Sequence, residues 1–124
     1  MKTDTLHEFI ALAKSFHEDD YVMKKAFHSK GRAVLRSIAG EIDLQKGTYE
    51  IRSNLGGPAV SGEVTLHGEN IYIQFSVSCA GNSFMYRRCN GLKDYTGGRN
   101  HWMPYDELEN FSAACEVFHH LERG

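Results

Sequence analysis

The sequence predicts an α+β domain: a four-stranded antiparallel meander with N-terminal helices and one C-terminal helix packed on one face. Three observations predict it. Apolar residues in the first third recur at helical spacing, the period changes to two at Thr48, and helical spacing returns after residue 105.

Leu6, Phe9, Ile10, Ala13 and Phe16 follow i, i+3, i+4, i+7 and make one helical stripe, with Thr5 and Glu8 spaced as a capping box. "HEDD" (17–20) then caps a short second helix holding Val22, Ala26 and Phe27. Gly31 separates it from a third helix with Val34, Leu35, Ile38 and Ile42 on one face. "QKG" (45–47) stops that helix.

"TYEIRS" reads as the first strand. "AVSGEVTLH" and "NIYIQFSVSC" alternate apolar and polar residues and read as the second and third. "HGEN" between them places Gly68 at the first central position of a type II′ turn, which pairs Leu66 with Ile71 and Val64 with Ile73. "FMYRRC" (84–89) is the fourth strand, with two registers open: either Phe84 and Tyr86 face inward, or Met85 and Cys89. Asp106 and Glu109 mark the start of the last helix, whose stripe is Leu108, Phe111, Cys115 and Phe118. The chain divides as a single domain, 1–124, into a helical segment (1–46), the sheet (48–89), a Gly-rich loop (90–104) and the C-terminal helix (105–122).

A chain of 124 residues, 41% hydrophobic and 24% charged, supports one core. A net charge of −2 argues against a surface that is basic throughout. No apolar run reaches membrane-spanning length, and "MKTDTLHEF" does not read as a signal peptide. Cys79, Cys89 and Cys115 form no framework spacing and suit free thiols, so the expected location is cytoplasmic.

"KDYTGGRNHW" (93–102) and "NLGGPAVSG" (54–62) are Gly-rich but match neither phosphate-loop nor dinucleotide fingerprints. The meander puts them at opposite ends of the sheet, so they do not form one cradle. The glycines at 97 and 98 read as a turn needing positive φ, and Trp102 as the anchor of that loop on the core. No spacing calls for a metal or a cofactor, so none is expected.

The remaining candidates are surfaces. Residues 21–40 carry Lys24, Lys25, Lys30, Arg32 and Arg36 and no acid, while the C-terminal helix is acidic. Residues 84–102 carry Arg87, Arg88, Lys93 and Arg99 with Tyr86, Tyr95 and Trp102 between them. The outer sheet face collects Thr48, Glu50, Arg52, Ser61, Glu63, Thr65, Tyr72, Gln74, Ser76 and Ser78, and any exposed edge strand can recruit a partner by strand addition.

"GTYEIRSNLGGPAVSGEVTLHGENIYIQ" and "RRCNGLKDYTGGRNH" resemble a family of small uncharacterised bacterial proteins typical of plasmids, prophages and integrative elements, over about residues 31–102. The resemblance implies a bacterial cytosolic accessory protein. By analogy such proteins act by binding, for instance by blocking a host-defence complex.

The expected function is therefore binding of a protein partner, without catalysis. Its contact residues would be Arg52, Tyr72, Gln74, Arg87, Arg88, Lys93, Tyr95, Arg99, His101 and Trp102. One alternative is nucleic-acid binding through the basic stretches 24–36 and 87–99. The other is a small enzyme using the 93–102 loop with Cys89 or His101. The sequence leaves oligomeric state open.

Overall fold

The computed structural model describes residues 1–15, 20–56, 61–77, 82–92, 94 and 96–124. Two helices, α1 (Thr3–Lys14) and α2 (Tyr21–Glu41), precede a five-stranded sheet. Its strands are β1 (Glu50–Asn54), β2 (Glu63–His67), β3 (Ile71–Phe75), β4 (Ser83–Arg88) and β5 (His101–Pro104). They run in sequence order as an antiparallel meander. A 3-10 turn (Tyr105–Glu109) then leads into helix α3 (Phe111–Arg123).

The class is as expected, but among the described residues the sheet has five strands, not four. The end of the Gly-rich segment, "HWMP", pairs with β4 as β5, with Met85 opposite Trp102 and Tyr86 opposite His101. The C-terminal element also divides. Its first turn is 3-10, and α3 starts only after Asn110, whose side chain accepts from the Ala113 N–H at 3.4 Å.

Among the described residues the N-terminal part has two helices, not three. Gly31 lies inside α2 instead of breaking it, because α2 crosses α1 and β2 there. A Cβ at this position would sit 3.2 Å from the Phe9 ring and 3.5 Å from Val64. The absence of a side chain thus sets how closely α2 approaches the sheet. Asp20 caps α2 by accepting from the Met23 N–H at 2.9 Å. At α1 no side-chain cap forms, and Glu8 pairs with Lys30 of α2 instead of closing a capping box. Phe16 lies outside the described residues.

The β2–β3 hairpin keeps the expected faces in a different register. Leu66 opposes Ile73 and Val64 opposes Phe75, two residues away from the expected pairs. A shift of two preserves side-chain parity, so the apolar set still points inward. Gly68 closes the hairpin with its N–H bonded to the Ile71 carbonyl at 2.8 Å, and Glu69–Asn70 make the turn. In β4, Phe84 and Tyr86 face inward with Phe75 and Phe118. The helices and the inner sheet face enclose an aromatic core of Phe9, Phe27, Phe75, Phe84, Tyr105 and Phe118. Tyr105 fixes the 3-10 turn beneath the sheet, donating its hydroxyl to the Ser76 carbonyl at 2.8 Å. Burial raises its pKa well above the ordinary phenol value. No described helix is long and apolar enough to cross a membrane.

Candidate partner-binding edge

The expected contact residues divide sharply once placed. Tyr72, expected on the outer sheet face as a contact residue, lies on that face but is only 6% exposed. Its ring meets His67 edge-on at 5.3 Å, and its hydroxyl donates to Gln74 Oε1 at 2.9 Å. The segment after β4 returns beside this part of the face. His67 Nε2–H donates to the Gly91 carbonyl at 3.0 Å. Gly97 (φ 106°) makes the expected positive-φ bend, where a Cβ would stand 2.7 Å from the Asn90 side chain. Ser61, also assigned to the outer face, is buried: its Oγ accepts from the Val77 N–H and donates to the Gly62 carbonyl.

The two neighbouring arginines point to opposite faces, and both are engaged. Arg87 holds the returning segment, donating to Asn100 Oδ1 at 3.2 Å and to the Gly98 carbonyl. Arg88 passes under the sheet and donates to the Leu121 and Glu122 carbonyls, each at 2.9 Å. A cation there satisfies the last carbonyls of α3. These arginines tie the fold together, which weakens the nucleic-acid reading for 87–99. Arg52 is exposed on the outer face of β1 and pairs with Glu50 at 2.6 Å. Arg99 is exposed. Lys93, Tyr95 and Ser78 lie outside the described residues.

His101 and Cys89 do not share a site. His101 stacks on Tyr86 at 5.3 Å, whereas buried Cys89 donates to the Gly68 carbonyl at 3.4 Å. Burial raises the Cys89 thiol pKa, and that of Cys115 to about 12, so neither is poised as a thiolate. Among the described residues no three His, Cys, Asp or Glu side chains could hold a metal ion.

Trp102 is the residue whose placement differs most from expectation. It does not anchor the loop on the core. It lies on the outer face of β5, beside Met85, and is 64% exposed. β5 is an edge of the sheet, and the ladder determines what that edge offers. The Tyr105 N–H bonds to the Asn82 carbonyl at 2.8 Å, just beyond the Ser83–Pro104 pair. Ser83–Pro104 is therefore a non-hydrogen-bonded pair, Phe84–Met103 is hydrogen-bonded, and Met85–Trp102 is again non-hydrogen-bonded. The N–H and C=O of Trp102 consequently point away from β4, toward the open edge. Pro104 offers only a carbonyl there.

Beneath the same edge lies a cleft of about 440 Å³. Met103, Ala113 and Val117 form its apolar part, and Asp106, Glu107 and Glu109 its acidic part. Lys14 pairs with Asp106 at 2.8 Å, which raises the Lys14 pKa through the hydrogen bond and the charge of that carboxylate. Sequence reasoning missed this edge because it read His101–Pro104 as loop. The available signal was the alternation of His101 and Met103 with Trp102 and Pro104. The chain matches no protein-family model, no curated protein and no solved structure.

Proposed function

We propose that this protein works by binding another polypeptide along the β5 edge, which receives an extended segment as a sixth strand. The observation that carries the reading is Trp102: a large aromatic side chain, exposed, on the one β5 residue that turns both backbone groups outward. Strand addition draws affinity from such main-chain groups and specificity from the side chains beside them, and tryptophan is a frequent energetic anchor. The resemblance of residues 31–102 to small proteins of mobile elements supports an accessory role in a bacterial cytosol, with a host complex such as a defence system among the targets.

The test is capture by the tagged chain from nuclease-treated bacterial lysate that also contains the untagged chain, run in parallel with Trp102→Ala. The wild type should retain a protein at stoichiometric level, and the variant should lose at least tenfold of it. Retention of no protein, foreign or second copy, or equal retention by the variant, contradicts the proposal. Recovery that disappears with nuclease and falls steeply with salt would favour nucleic acid instead.

A further inference from the structure

The β1 edge, at the other side of the sheet, has the complementary features. The Gly68 N–H bonds to the Ile71 carbonyl, so Leu66 and Val64 direct their backbone groups to β3. His67, Thr65 and Glu63 therefore direct theirs to Glu50, Arg52 and Asn54 of β1. The N–H and C=O groups of Ile51 and Ser53 are left facing the open edge. Under this edge lies a cleft of about 370 Å³ between α2 and β1. Lys25, Ser29 and Arg32 line it from α2, and Ser53 and Leu55 from the strand side. Arg32 donates to Ser53 Oγ at 2.7 Å, and the Lys25 ammonium stands 5.2 Å from the Tyr21 ring. Residues 21–40 contain no acid to neutralise these cations.

The two clefts correspond in position as well as charge. Both lie under the inner sheet face, since Ser53 opposes Val64 and Met103 opposes Phe84. Both lie toward the C-terminal end of their strand. As first and fifth strands of an antiparallel meander, β1 and β5 run parallel. A second copy set beside the first in the same orientation thus brings its β1 alongside β5 as a parallel neighbour. In a parallel ladder one residue bonds to the two residues flanking its opposite number. Trp102 N–H then meets the Ile51 carbonyl of the copy, and the Ser53 N–H of the copy meets the Trp102 carbonyl. Arg52 of the copy falls beside the Trp102 ring, where a guanidinium can stack. It continues the existing cross-strand row Arg52–Thr65–Gln74–Met85–Trp102. The acidic cleft meets the basic one.

We infer that the segment received by β5 is β1 of a second copy of this chain, so that copies associate head to tail through one continuous sheet. This rests on reading β5 as the binding edge. The contact is heterologous and repeats, giving an open chain of copies unless a rotation closes it into a ring. Pairing of β5 with β5 of a second copy would leave both acidic clefts without cations, so the β1–β5 contact is the one that the charges favour.

The test is sedimentation of the full chain over a hundredfold concentration range, at low and high salt. Wild type should exceed monomer mass as concentration rises, and salt should reverse this. Glu107→Lys with Glu109→Lys should be monomeric, as should Lys25→Glu with Arg32→Glu. Mixing the two variants should restore association, because each then meets an opposite charge. Wild type that stays monomeric, or association untouched by either reversal, overturns the inference. So does a mixture that stays monomeric. A monomeric wild type that still captures a foreign protein in a Trp102-dependent way leaves the β5 reading standing and removes only the second copy as occupant. Circular dichroism of each variant separates loss of association from loss of fold.

Discussion

The two edges of the sheet show how one meander can present charge along one open edge and an aromatic along the other. β1 carries the Glu50–Arg52 ion pair on its outer face and a basic helix beneath. β5 is shorter, carries an exposed tryptophan outside and carboxylates beneath, and ends in a proline that supplies no N–H. Edges are commonly blunted by charge, short length or proline. Here those devices act unequally, and the exposed aromatic anchor lies on β5. The comparison teaches that charge sign and one exposed aromatic together separate the two edges as docking surfaces.

The largest expected effect breaks the β1 side. Gly31→Leu places a side chain where even a Cβ meets Phe9 at 3.2 Å, so α2 must lift from β2 and from the β1 edge. Overpacking of this kind typically costs about 1–3 kcal/mol, and more in a tightly packed site. Here a loss above about 3 kcal/mol is expected, because a whole side chain must enter where a Cβ already crowds Phe9 and Val64. It is to be read from a urea midpoint. On the β5 side, Arg88→Met removes the cation that satisfies two terminal carbonyls of α3. A loss of about 1.5–3 kcal/mol is expected for hydrogen bonds to a charged group. A stability unchanged by Arg88→Met would show that α3 ends without help from β4.

A smaller effect concerns pH. His28 is buried beside the basic cleft, and its Nε2–H donates to the Ser61 carbonyl at 2.7 Å. Among the described residues its Nδ1 has no hydrogen-bond partner. Burial lowers its pKa most, the hydrogen bond to Ser61 opposes that, and Arg32 and Lys24 lower it further. The unfolded chain therefore takes up a proton more readily than the folded one. This contribution to stability is present above the unfolded value of about 6.5 and is lost as pH falls below it, at up to about 1.4 kcal/mol per pH unit. His28→Gln should flatten that part of the stability–pH curve, and an equally steep curve would contradict the assignment. The smallest effect sharpens the comparison most. Trp102→Ala should change stability by no more than about 0.5 kcal/mol, as for an exposed side chain, while removing binding. A larger loss of stability would mean that Trp102 belongs to the fold.

The helix stripes, the inward sheet face and the end of the sheet at which each loop lies were readable in the sequence because periodicity encodes them. Leu6, Phe9, Ile38, Val64, Ile73 and Phe118 are all buried. Three things were not readable. Gly31 looks like a helix break in one dimension and is a packing contact in three, since its reason lies in Phe9 and Val64. His101–Pro104 is too short, and too rich in residues that also suit loops, for alternation to outweigh the preceding glycines. Tyr72 occupies a polar position of an alternating strand and Ser61 a polar position just before one, and what buries Ser61 comes from elsewhere in the chain. Candidate contact residues chosen by type alone therefore mixed structural arginines with the exposed tryptophan.

Amide hydrogen exchange at adjacent residues of β5 tests the central claim most directly. The Met103 N–H is held by β4 and should exchange slowly at all concentrations. The Trp102 N–H should exchange quickly in dilute protein and become protected, together with Ser53, as the protein is concentrated. Trp102 already protected in the dilute monomer, or unprotected under conditions where association is complete, would contradict it.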